Sequence, residues 1–99
     1  MNRFDDKVVL ITGAASGIGR ATALRLAEEG ATLALSDLNA EGLEETAAGC
    51  SELGSTVRSD VVNVAEESQV CDMVAGAAGE FGRLDAVVNV AGILQFKHT

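Results

Sequence analysis

Tyrosine and tryptophan are absent from this chain, and Phe4, Phe81 and Phe96 are its whole aromatic complement. No phenol is therefore available for acid–base work within these 99 residues. Positive charge is also scarce: seven Lys and Arg stand against fifteen Asp and Glu, a formal net charge of −8. That balance opposes non-specific binding to nucleic acid or to an anionic membrane, so any phosphate must be held locally. Cys50 and Cys71 show no CxxC spacing and have no histidine beside them. They read as reduced packing residues, with neither a disulfide nor a metal site expected. No run approaches the roughly 20 apolar residues of a spanning helix, and the N-terminal "MNRFDDKVVL" has no apolar signal core. A cytoplasmic protein with no membrane partner is the expectation.

What is present is apolar and small. Hydrophobic residues make up 47% of the chain, led by Ala, Val and Leu, which marks it as globular and suits closely apposed helices and strands. A chain of this length is enough for one small domain but buries a smaller share of its surface than a typical enzyme domain. With no repeats, low-complexity tracts or internal linkers, residues 1–99 read as a single unit.

Short apolar runs alternate with helical periodicity. "KVVLIT" (7–12) is continuous and rich in β-branched residues, as in a strand buried on both faces. Residues 18–29 read as a helix, with Gly30 where a C-terminal glycine belongs. "ATLALSD" (31–37) is a second strand. Asn39 is placed to cap a helix over 40–53, with Glu41, Glu44 and Glu45 toward its N-terminal half and Gly54 closing it. "STVRSDV" (55–61) predicts a third strand. A helix beginning near Asn63 follows, with Val70, Val74, Ala77 and Phe81 on one face, and "LDAVVNVAG" (84–92) predicts a fourth strand.

Strands separated by single helices require a parallel α/β sheet, because each helix is the crossover between parallel neighbours. Right-handed crossovers and the doubly wound rule predict a Rossmann-like sheet of order 3-2-1-4, incomplete as it stands. Two helices would cover one face and one the other, leaving apolar surface for more chain or a partner.

The chemistry is concentrated in "TGAASGIG" (12–19), a glycine-rich turn between the first strand and the first helix. Phosphate approaches backbone N–H groups where side chains are absent, and a helix N-terminus adds a favourable dipole. Gly13, Gly17 and Gly19 meet that need. A Walker loop would end in Gly-Lys-Ser or Gly-Lys-Thr, whereas Arg20 and Ala21 follow here. Asp37 ends the second strand about 20 residues after the loop, where dinucleotide folds place a carboxylate on the adenosine ribose.

The spacing G-x-x-x-G-x-G resembles the TGxxxGIG loop of the short-chain dehydrogenase/reductase family. Asp37 matches the acidic residue of that family's NAD-preferring members, and "SDV" resembles its Asp-Val pair, here Asp60 and Val61, flanking adenine. "NVAG" resembles its NNAG motif, with Val90 in place of the second Asn, which bears on the hydrogen bonds that Asn would make. The resemblance runs from Lys7 to Gly92. It implies that Ser16 and Ile18 lie near the cofactor phosphates, that Thr12 and Asn89 tie loops to strands, and that Ala91 and Gly92 pass beneath the ribose nearer the nicotinamide. The implied cofactor is NAD: an Asp at the 2′ position repels a phosphate there, and no basic residue occupies 14–16, with Arg20 the nearest cation.

The family transfers hydride between nicotinamide and an alcohol or carbonyl, using a serine, a tyrosine and a lysine that lie beyond its fourth strand. None of these is matched here, so no catalytic residue is assigned. The expectation is the N-terminal, cofactor-binding portion of a longer enzyme, inactive alone and prone to form homo-oligomers. The alternatives are a non-catalytic NAD-binding or assembly module and, on a different loop pattern, an adenosylmethionine-dependent methyltransferase. Lys97 and His98 are expected to be solvated near a chain end, and Ile93 to Phe96 to offer at most one apolar wall to substrate.

Overall fold

The computed structural model describes residues 4–90. Its elements run β1 (Val8–Thr12), α1 (Gly17–Glu28), β2 (Thr32–Asp37), α2 (Ala40–Glu52), β3 (Val57–Val61), α3 (Glu67–Phe81) and β4 (Ala86–Asn89). All four strands are parallel, in the order β3-β2-β1-β4 expected from the alternation. The central strand β1 is buried along its whole length, which explains why its sequence is continuously apolar rather than alternating.

Side chains along a strand point alternately to opposite faces, and that alternation divides the interior in two. Val9, Ile11, Leu33 and Leu35 pack on one face with Ala23 and Ala27 of α1 and Leu43 and Cys50 of α2. Leu10 and Ala34 pack on the other with Val70, Met73 and Ala77 of α3. Two helices therefore cover one face and one covers the other. The uneven cover shows at the edges, where Val61 of β3 and Val87 of β4 stay more than half exposed. Burial pushes the Cys50 thiol up to about 11, so this cysteine is a packing residue, and Cys71 is free and exposed.

Three element starts differ from the sequence reading by two residues or more, each for a local reason. The helix expected near Asn63 begins at Glu67. Asn63 instead closes a turn, its Oδ1 accepting from Ala65 N at 3.0 Å and its own N–H donating to Gln69 Oε1 at 2.9 Å. Strand β3 starts at Val57 rather than Ser55, because the Ser55 N–H donates to Cys50 O of α2 at 3.2 Å while its hydroxyl donates to Ala31 O at 2.6 Å. Strand β4 starts at Ala86, since Asp85 turns its side chain back onto Val8 N at 2.8 Å and pairs with Arg83 at 2.6 Å. Arg83 first and the Val8 amide second hold the Asp85 carboxyl below its usual range. The expected end of the fourth strand, at Ala91 and Gly92, lies outside the described residues, as do Ile93 to Phe96, Lys97 and His98.

Candidate dinucleotide site

At the C-terminal edge of the sheet, β1 runs into the glycine turn and β2 into Asp37. Gly13 takes a left-handed φ of 70°, which swings the chain off β1 and directs its carbonyl toward the start of α1. A Cβ on Gly19 would overlap that carbonyl oxygen, so Gly19 is what lets loop and helix approach. A Cβ on Gly17 would meet nothing within 4 Å. The two glycines thus do different work: Gly19 packs against the loop, and Gly17 leaves the outer side of the helix start open.

Ser16 is the N-cap of α1. Its hydroxyl donates to Gly13 O at 2.7 Å and accepts from Gly19 N at 3.0 Å, holding the turn closed. The amides of Gly17 and Ile18 belong to the first turn, where an α-helix supplies no acceptor of its own. Ile18 is 73% exposed beside them.

The loop is tied to β2 and α2 by three hydrogen bonds. Ala14 N donates to Ser36 O at 3.0 Å, Thr46 of α2 donates to Ala14 O at 2.9 Å, and Ala15 N donates to Asp37 Oδ2 at 2.9 Å. Asp37 uses its other oxygen to accept from Asn39 N at 2.9 Å. Its carboxylate therefore stands between the glycine turn and the start of α2, fixed by two backbone amides before any ligand arrives. Arg20, the cation nearest the loop, points to α2: it donates to Thr46 Oγ1 at 3.1 Å and to Gly42 O and Glu45 Oε1, each at 3.3 Å.

Two further groups meet at the same edge. The β2–β3 register sets Val61 opposite Asp37, and Leu38, next in the chain, is 65% exposed against 55% for Val61. Asp60 is held by Arg58, through Nε to Oδ2 at 2.8 Å and Nη2 to Oδ1 at 3.4 Å. On the other side of the loop, Thr12 donates to Asn89 Oδ1 at 2.8 Å and ties the end of β1 to the end of β4. The structure thus gathers Gly13, Ser16, Gly17, Ile18, Gly19, Asp37, Asp60, Val61 and Asn89 along one edge, while Ala91 and Gly92 lie outside the described residues. Sequence reasoning passed over Leu38 and Arg58. A large apolar residue directly after a strand-end acid, and an Arg two residues before an Asp on one strand face, were the available signals.

A doubly wound sheet with a glycine turn, a capped helix N-terminus and a strand-end acid is the form of the dinucleotide-binding α/β class. The match is closer than the class. A family profile described as short chain dehydrogenase covers residues 7–99, and the chain belongs to that family. Levodione reductase of Leifsonia aquatica is 50% identical over 93 residues, which are 92% of this chain and 35% of that protein. The 3-oxoacyl-[acyl-carrier-protein] reductase FabG of Thermotoga maritima is 43% identical over 91 residues, 92% of this chain and 37% of that protein. Among solved structures, carveol dehydrogenase of Mycobacterium avium in complex with NAD superposes with a TM-score of 0.89 at 32% identity, over 94% of this chain and 38% of that one. NAD+-bound xylitol dehydrogenase superposes at 0.84 with 46% identity, over 86% of this chain and 33% of that one. The chain spans about a third of the length of the relatives it matches. Family membership decides against the methyltransferase alternative.

Proposed function

We propose that these residues form the NAD-binding portion of an oxidoreductase that exchanges hydride between nicotinamide and the alcohol or carbonyl of a small molecule. One observation carries the reading: the Asp37 carboxylate is fixed against the glycine turn at the N-terminus of α1. The first-turn amides of α1, with open space beside Gly17, suit a pyrophosphate. Asp37 suits the adenosine ribose hydroxyls, and Leu38 and Val61 offer apolar walls to an adenine. Asn89, held by Thr12, starts the segment through which Ala91 and Gly92 would reach the nicotinamide side. When bound, the cofactor supplies the hydride donor or acceptor. This chain's own residues bind and orient it, and none of the 99 is assigned a proton-transfer role.

Two features of the site support a preference for NAD over NADP. Asp37 puts negative charge where a 2′-phosphate would sit, and Arg20 is committed to Thr46, Gly42 and Glu45. The NAD in the structures of carveol and xylitol dehydrogenase is consistent with that preference. A cytoplasmic location, supported by the two free cysteines, and self-association, supported by the exposed Val87 of β4, belong to the same reading.

The test is titration of the protein produced from its complete reading frame with NADH and NADPH, followed by nicotinamide fluorescence, with intact mass measured on the same sample. NADH is expected to bind at least about tenfold more tightly, a difference of about 1.4 kcal/mol. NADPH binding as tight as NADH would remove the role given to Asp37. Failure of both to bind would overturn the functional reading. A mass above 10.1 kDa is expected for the hydride-transferring enzyme, whereas 10.1 kDa would leave binding or assembly as the function.

A further inference from the structure

Arg58 and Asp60 sit two residues apart on β3, so they project from the same face of the strand, toward α3. The guanidinium does more than pair with one acid. Its Nε and Nη2 grip both oxygens of Asp60, and its Nη1 donates to Gly76 O at 3.1 Å and to Glu80 Oε1 at 2.8 Å. Such a planar fork, engaged on both sides, fixes the carboxylate plane as well as its position. The backbone makes room for this: a Cβ on Gly76 would lie 2.5 Å from Arg58 Nη2. Beyond Asp60 a recess opens along β3 and α3, walled by Asp60, Val61, Gln69 and Asp72.

We propose that Arg58 is a positioning residue for adenine recognition, clamping the Asp60 carboxylate so that it accepts a hydrogen bond from the 6-amino group of the base. The proposal rests on the dinucleotide reading given above. Each Asp60 oxygen spends one acceptor direction on Arg58 and keeps another, since an ionised carboxylate has about four acceptor sites. A base carrying an amino donor at this position completes the arrangement. A base carrying a 6-oxo group would set a carbonyl oxygen against a carboxylate. Asp72 lines the same recess and adds a second carboxyl to it, alongside the Arg58 guanidinium, which lines it too.

The test compares NAD with its 6-oxo counterpart, nicotinamide hypoxanthine dinucleotide, by calorimetric titration of the protein from its complete reading frame. The wild-type protein is expected to prefer NAD by about tenfold, the scale of one charge-assisted hydrogen bond. Arg58→Gln should reduce NAD affinity about five- to tenfold while changing that of the hypoxanthine analogue less than about twofold, so that the preference collapses. Glu80→Ala removes one strand-to-helix bond but leaves the Asp60 clamp, and should keep the preference. Gly76→Ala pushes only the flexible end of Arg58 and should reproduce the Arg58→Gln result even if that variant folds poorly. Equal loss of both dinucleotides in Arg58→Gln and in Gly76→Ala would reduce Arg58 to a structural staple and overturn the proposal. A wild-type protein that binds both equally would remove the adenine contact itself. One that binds neither would overturn the dinucleotide reading on which it rests.

Discussion

At the residue scale, glycines of one motif divide into packing and access roles that spacing alone does not separate. The space a Cβ needs on Gly19 is occupied by the backbone oxygen of Gly13, whereas Gly17 faces open space. Backbone cannot move aside as a side-chain end does. Gly19→Ala is therefore expected to cost about 3 kcal/mol of stability in urea unfolding, the upper range for overpacking. Gly17→Ala should shift stability by less than about 1 kcal/mol and weaken NADH binding instead. Equal loss of stability in both would show that Gly17 also packs. Asp37 carries two jobs for a related reason: it accepts from Ala15 N as well as standing where the ribose is proposed to bind. Asp37 was legible because acids at the end of a second strand have a known geometric place. Arg58 was not, because a strand-edge Arg reads as an ordinary solvated cation until the chain brings Gly76 and Glu80 to it from α3, about 20 residues on in sequence.

At the element scale, helix starts were readable where a side chain caps them and misplaced where it does not. Asn39 accepts from Gly42 N at 3.1 Å and α2 begins at the expected residue. Helix α3 has Glu66 at its N-cap with no side-chain bond to the first turn, because the better capping residue, Asn63, is used in the turn before it. Two opposite stability changes are expected from this difference. Asn39→Ala should destabilise by about 1 kcal/mol, and Glu66→Asp, which shortens the side chain to a favoured capping length, should stabilise by about 0.5 kcal/mol. Thermal and urea midpoints of the two variants would check both signs. A Glu66→Asp protein no more stable than the parent would mean that the turn preceding α3, rather than the cap, limits that helix start.

At the scale of the whole molecule, the two sides of β1 are closed by different means. On the β2 side the contact is strand pairing over five residues, from Val8 with Thr32 to Thr12 with Ser36. On the β4 side four residues pair, and Asp85 adds a side-chain bond to Val8 N at the strand entrance. Because folding lowers the Asp85 pKa from its ordinary value of 3.8, its contribution is present above that value and is lost as pH falls through the folded one. Stability should therefore decline from pH 5 to pH 3 more steeply in the parent than in Asp85→Asn; parallel profiles would place the acid sensitivity elsewhere. The alternation of strands and helices, the parallel order 3-2-1-4 and the glycine turn were legible in the residues, since each follows from local periodicity, turn chemistry and the handedness of crossovers. Folding in three dimensions was needed to show which glycine packs, that Arg20 is spent on α2, that Leu38 is left exposed near Val61, and that Arg58 grips Asp60. Arg20 with α2, Leu38 near Val61 and Arg58 with α3 join segments about 20 residues or more apart, while the approach of Gly19 to Gly13 depends on how tightly the turn folds back. In each case the energy depends on distances that no local pattern encodes.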